Sequence, residues 1–171
     1  MRWVVLSAVA LFLALALAYA QWPISRLPAD LRVDKVLVIK STRKLVLLRQ
    51  KTPLREYRIA LGGNPLGHKT RQGDQRTPEG RYVIDYRTKD SSFHRALHIS
   101  YPNARDRAEA RARSADPGGL IMIHGIKNGL GLIGRWHRLL DWTDGCIALT
   151  NAEIEELWDL VPDGTPIEIR G

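Results

Sequence analysis

Cys146 is the only cysteine in this 171-residue sequence, and it closes a Thr-Asp-Gly-Cys stretch that begins at Thr143. Twenty-two positions upstream, His124 ends an apolar run, Leu120 to Ile123, and is followed by Gly125. A free thiol with a pKa near ~8.5 is only a few per cent thiolate at neutral pH, so it needs a base to attack a carbonyl. A histidine within hydrogen-bond reach can take that proton and later return it to a leaving amine. Cys146 and His124 are therefore a candidate nucleophile and general base. Thr143-Asp144-Gly145 predicts a tight turn, and the N–H groups of Gly145 and Cys146 could stabilise a tetrahedral oxyanion, an effect of ~3 kcal/mol per donor. A helix predicted to start near Thr150 turns its positive end towards the same residues, which favours thiolate.

A metal centre is the rival chemistry. His94 and His98 are four apart, a spacing that converges on a helix, but residues 96 to 100 read as a strand, where it holds them apart. With neither a Cys-x-x-Cys nor a His-Glu-x-x-His motif, the reading is no metal and no cofactor. The run Gly62-Gly63-Asn64-Pro65-Leu66-Gly67 lacks the Gly-Lys-Ser/Thr ending of a phosphate loop and reads as a turn. Tyr101, His98, Arg76 and Trp136 are the candidates to line a substrate cleft.

The elements that must position these groups are mostly strands. Short apolar runs between polar breaks predict strands at 33–40, 44–49 and 54–61, an antiparallel meander. Arg81 to Arg87 alternates, with Tyr82, Ile84 and Tyr86 on one face. Further strands are expected at 96–100, 120–124 and 167–169. Two short helices complete the set. Asn103 caps a charged, alanine-rich segment running to Arg113. Thr150-Asn151-Ala152-Glu153 is a capping box, followed by Ile154, Leu157, Trp158 and Val161 at helical spacing and stopped by Pro162. The fold class expected is a single mostly-β domain over 33–170, after a short lead at 21–32.

Residues 1–20 are uncharged from Trp3 onwards and end in Ala18-Tyr19-Ala20, the small-x-small pattern of a secretory signal with Gln21 as the first mature residue. Retained, the same segment is an anchor, and a membrane enters as a partner only in that case. Both readings put the domain outside the cytoplasm, in the periplasm or cell envelope. There an unpaired cysteine stands out, because exported cysteines usually pair. The excess of eight basic residues, seven without Arg2, suits a polyanionic neighbour. Without a zinc-finger spacing, an RNA-binding signature or a dense basic run, nucleic acid is excluded as the partner.

Taken together, His124-Gly125, a spacer and Thr143-Asp144-Gly145-Cys146-Ile147 resemble the signature of the L,D-transpeptidases, the YkuD-domain family. Gly73-Asp74-Gln75-Arg76-Thr77-Pro78-Glu79-Gly80-Arg81-Tyr82 is similar to a second motif of that family. The resemblance implies a β-sandwich-like catalytic domain and an exported enzyme acting on peptidoglycan stem peptides. It implies that Cys146 attacks the amide after meso-diaminopimelate, releases D-alanine and leaves a thioester for an amine acceptor, on another stem or a wall-bound lipoprotein. It also implies that the Gly125 carbonyl orients the imidazole, and that Gly145 and Cys146 amides form the oxyanion hole. The sequence departs from the family pattern at Asp144, where many members have His, and at Ala148, where most have Arg. The Asp-Gly-Cys-Ile-Ala-Leu-Thr-Asn form resembles the subgroup related to YafK, which includes hydrolases of the peptidoglycan–lipoprotein link. Hydrolysis by the same Cys-His site is the alternative activity.

Overall fold

The computed structural model describes residues 2–28 and 30–171; Met1 of the expected leader and Ala29 of the expected lead lie outside the described residues. Eight strands follow an N-terminal helix, α1 (Arg2–Ala20). They are β1 (Lys35–Ile39), β2 (Lys44–Arg49), β3 (Thr52–Arg58), β4 (Gly80–Thr88), β5 (Ala96–Ile99), β6 (Met122–His124), β7 (Ile147–Ala148) and β8 (Thr165–Arg170). Helices α2 (Ala104–Ala112) and α3 (Asn151–Leu160) complete the fold, with a 3-10 segment at Gly131–Leu139.

The strands form one sheet in the order β3-β2-β1-β8-β4-β5-β6-β7. The expected meander is β1-β2-β3, all antiparallel, and β4-β5-β6 makes a second one. β8 joins them, parallel to β1 and antiparallel to β4. Beyond β3 the chain continues to Ala60, which exchanges both backbone hydrogen bonds with Ala148 at 3.0 and 2.9 Å. The two ends of the sheet therefore meet, and the sandwich-like shape is one sheet curled back on itself, which satisfies polar edges that would otherwise stay open.

Period-two alternation decides which side chains enter the curl. Val36 and Val38 of β1 and Ile167 and Ile169 of β8 are buried, with their neighbours more exposed. α3 covers this core with Ile154, Leu157, Leu160 and Val161, all buried. Each such side chain contributes about 1.5–3 kcal/mol on burial. Glu156 is buried on the same helix, held by the Tyr57 hydroxyl at 2.6 Å and the Leu27 amide at 2.6 Å, which ties α3 to β3 and to the lead segment.

Both predicted helix starts have closed capping boxes, Asn103 with Asp106 and Thr150 with Glu153. The second hairpin turn, between β2 and β3, differs from expectation. It lies at Gln50 and Lys51, both with positive φ, so β3 begins at Thr52 and includes Pro53. Two positive φ values match the twist of a tight hairpin, and a proline is tolerated on the outermost strand. Tyr86 is exposed rather than inward, because the β4–β5 register shifts between Ile84 and Arg87.

Candidate active site

β6 and β7 run parallel, with Ile123 opposite Ile147 and His124 opposite Ala148. Extending that register sets Cys146 beside Met122, one diagonal from His124 on the same face of the sheet. The Met122 N–H donates to Cys146 Sγ at 3.4 Å, and the thiol donates to the Leu120 carbonyl at 3.6 Å. Cys146 and His124 line one cavity of about 650 Å3, with Phe93, Lys127, Trp142 and Asp144 also on its wall. Among the described residues no hydrogen bond joins thiol to imidazole; such contacts often tighten only when substrate binds.

The turn presenting the thiol is built from both sides. The Thr143 hydroxyl donates to the Cys146 carbonyl at 2.7 Å and accepts from the Gly145 N–H at 3.2 Å. Gly145 has φ +124, and a Cβ there would lie 2.6 Å from the Arg76 carbonyl oxygen, so glycine is required by conformation and by space. Thr143 is tied to the chain beyond β3, its N–H to the Leu61 carbonyl at 3.1 Å and its carbonyl to the Gly63 N–H at 2.9 Å. Asp141, two residues earlier, accepts from the Leu61 N–H at 2.9 Å and pairs with Arg43.

The Gly73–Tyr82 motif supplies the wall behind this turn. Asp74 accepts from the Thr70, Arg71 and Arg76 N–H groups and pairs with buried Lys69 at 2.8 Å. Burial alone would raise its pKa, but Lys69 and those N–H groups outweigh it and hold Asp74 at about 2. Thr77 accepts from the Gly62 N–H, and buried Lys40 donates to the Gly67 and Thr77 carbonyls and to Glu79. The two motifs are seventy residues apart in sequence and form one structure.

His124 is buried, with its ring 4.5 Å from Phe93 and edge-on to Trp142 at 5.8 Å. Its Nδ1 lies 2.7 Å from the Gly125 carbonyl oxygen. A carbonyl only accepts, so the hydrogen is on Nδ1 and Nε2 carries the lone pair. Burial pushes the His124 pKa down, against the opposing pull of that carbonyl. Burial likewise pushes the Cys146 thiol up; the Met122 N–H opposes this and the Asp144 charge adds to it. Both groups are therefore neutral near pH 7. This corrects the expectation that the α3 start favours thiolate. Desolvation and the Asp144 charge both work against thiolate, and the first turn of α3 carries its own anion, Glu153.

None of the four residues expected to bind substrate is on the cavity wall. Tyr101 is buried, donating to the Pro117 carbonyl at 3.0 Å and packing edge-on to Tyr82. His98 pairs with Asp85 at 2.6 Å and stacks on Tyr86. Arg76 lies behind the thiol turn, its main chain against Gly145. Trp136 sits on the 3-10 segment, its Nε1 donating to the Ala16 carbonyl of α1 at 3.1 Å. The residues that do line the cavity, Phe93 and Lys127, lie in loops with no motif of their own. Trp142, also on the wall, packs edge-on against the imidazole itself. His94 and His98 take separate carboxylate partners, Glu155 and Asp85, each at 2.6 Å.

Residues 34–169 match the family described as YkuD, L,D-transpeptidase catalytic domain. A protein of Escherichia coli (strain K12) named "Putative L,D-transpeptidase YafK" is 34% identical over 110 residues, covering 63% of this chain and 37% of that protein. The crystal structure of the helical cell shape determining protein Pgp2 from Campylobacter jejuni aligns with a TM-score of 0.61 at 25% identity, over 91% of this chain and 54% of that one. The L,D-transpeptidase of Xylanimonas cellulosilytica DSM 15894 shares the fold, with a TM-score of 0.52 at 16% identity over 83% of this chain and 62% of that one. The chain thus spans little more than a third of YafK and about half of Pgp2. With 136 of its residues inside the matched segment, thiol and imidazole among them, the chain belongs to the YkuD family of L,D-transpeptidase catalytic domains, whose members modify peptidoglycan.

Proposed function

We propose that this chain is a cysteine acyltransferase of peptidoglycan stem peptides, working outside the cytoplasm behind an apolar N-terminal helix that is compatible with a signal sequence. The observation that carries the reading is the shared cavity of Cys146 and His124, with the imidazole held by Gly125 so that Nε2 is free to take a proton. As the thiol proton passes to Nε2, sulfur bonds to the carbonyl carbon after meso-diaminopimelate. The tetrahedral oxyanion is met by the Cys146 N–H; the Gly145 N–H is already engaged by Thr143, so Gly145 acts mainly through the shape of the turn. The C–N bond then breaks, D-alanine leaves with the proton from His124, and a thioester remains. An amine on a second stem, or on a wall-bound lipoprotein, attacks it and restores the thiol.

Lys127, a cation on the cavity wall, suits a stem carboxylate, and Asp144 on the same wall suits the ammonium of an incoming amine. Asp144 also favours a second reading, since a carboxylate beside the thioester can equally orient water. Incubating the full chain with sacculi and analysing the muropeptides by mass spectrometry tests both. New 3–3 cross-links support transfer; loss of cross-links or of lipoprotein supports hydrolysis. A Cys146→Ala chain that remains folded should do neither, and retained activity in that variant would overturn the proposal.

A further inference from the structure

The apolar helix and the 3-10 segment form a surface that the proposed chemistry does not use. α1 has 19 residues, a mean hydropathy of 2.3 over its best window and almost no buried side chains. At 1.5 Å per residue it is about 28 Å long, close to the ~30 Å of a bilayer core. Its C-terminal end is seated on the 3-10 segment by specific contacts. Trp136 Nε1 donates to Ala16, Tyr19 packs on Trp136 with centroids 5.0 Å apart, and Gln21 Nε2 donates to the Gly131 and Leu132 carbonyls. Gly134 has φ +50, and a Cβ there would stand 2.1 Å from the Ala20 carbonyl oxygen. The segment is shaped to receive the helix end.

Around that contact the segment exposes large apolar side chains: Leu132 is 73%, Leu139 72% and Leu140 75% accessible. Leu139 and Leu140, with Leu130, Ile133 and Trp136, border an apolar groove of about 380 Å3, and Leu132 projects from the same segment outside it. A contiguous apolar surface of this kind marks an interaction site. Its neighbour identifies the partner. A 19-residue apolar helix with solvent on nearly every side suits lipid, and the exposed leucines lie beside its end, where a bilayer spanned by that helix would meet water. Tyr19 and Trp136 meet there, and the Arg135 guanidinium sits 5.9 Å from the Tyr19 ring, the aromatic and cationic residues that favour that level. Lys127 and Trp142 line both this groove and the catalytic cavity.

We infer that α1 is retained as a membrane anchor and that the 3-10 segment lies on the same bilayer, so that the catalytic cavity is held at the membrane surface. This placement does not depend on the chemistry of Cys146. Cys146→Ser leaves a chain with no thiol, into which Leu132→Cys, Leu139→Cys or, as an exposed control outside the groove, Leu66→Cys introduces a single labelling site. Each full chain carries an environment-sensitive fluorophore and is reconstituted in phosphatidylethanolamine–phosphatidylglycerol vesicles. Labels at 132 and 139 should emit at shorter wavelength and be quenched several-fold more by nitroxide lipids than the label at 66. Water-like emission at all three positions would overturn the inference. Emission that depends on protein concentration but not on nitroxide lipid would show that a second copy covers this face, and would overturn it too. Chain recovered from cells with Gln21 as its first residue would refute the retained anchor.

Discussion

Thr143 is the side chain on which the shape of the thiol turn most depends, and its replacement can be worked out from the structure. The hydroxyl makes two hydrogen bonds at once, donating to the Cys146 carbonyl at 2.7 Å and accepting from the Gly145 N–H at 3.2 Å. Valine keeps the volume and branching but removes both. At about 0.5–1.5 kcal/mol net per hydrogen bond, Thr143→Val should destabilise the fold by about 1–3 kcal/mol, towards the upper end because Gly145 is buried. The catalytic effect should be larger than the stability effect. A misplacement of ~1 Å at a reacting atom lowers rate by about 100-fold, and among the described residues no other side chain holds the two ends of the turn together. Thr143→Ser keeps the hydroxyl and should restore most of both properties. Urea unfolding gives the stability change, and the rate of acylation of Cys146 by a carbapenem, followed by intact mass, gives the functional one. If Thr143→Val stays folded and acylates at the wild-type rate, the hydroxyl does not position the thiol and the account of the turn is wrong.

Three further outcomes follow from the electrostatics and the packing. His124 must be neutral to accept the thiol proton, and burial holds its pKa below the ordinary 6.5; carbapenem acylation should therefore persist as pH falls through 6.5 and decline only below it, and an acid limb centred above 6.5 would contradict this. The Asp144 charge helps hold the thiol above its ordinary value, so Asp144→Asn should speed alkylation by iodoacetamide at pH 8, with the two proteins converging at high pH; equal rates at pH 8 would remove Asp144 from the thiol's surroundings. Gly145→Ala places a methyl 2.6 Å from the Arg76 carbonyl oxygen at φ +124; backbone strain alone is about 1–3 kcal/mol, and a melting temperature within 1 °C of wild type would refute the close approach.

What the sequence made legible was whatever is encoded locally or by rarity. The capping boxes at Asn103 and Thr150 are read from three or four adjacent residues, and both form. The single thiol and the histidine before a glycine could be paired by type and order alone. The closure of the sheet could not be read, because Ala60 and Ala148 are small residues far apart in sequence whose pairing follows from the curl of everything between them. A two-residue strand such as β7 has too few positions to show alternation. Tyr101, His98 and Arg76 are substrate candidates by side-chain chemistry alone, and chemistry does not specify a face. Tyr101 faces the core and Pro117, and His98 turns to Asp85 on β4, where cross-strand pairing sets its direction.

The neutral Cys146–His124 pair also explains why a thiol can be useful in this setting. In the proposed location outside the cytoplasm a thiol meets oxidants, and susceptibility follows thiolate character and access. A thiol activated in advance by the α3 dipole would attack its substrate quickly but would also be oxidised quickly. Here burial keeps the proton on sulfur, and the lone pair that can receive it is fixed on Nε2 by the Gly125 carbonyl. The nucleophile is then generated only as the proton moves to His124, when a carbonyl carbon is in place to take the sulfur electrons. On this reasoning the resting enzyme should react slowly with hydrogen peroxide while acylating readily with a bound carbapenem. Asp144→Asn should speed the peroxide reaction, because it lowers the energy of the thiolate whether or not substrate is present. A resting thiol that peroxide oxidises as fast as a free, low-pKa cysteine would mean that the proton is not held on sulfur, and that the dipole rather than burial controls this site.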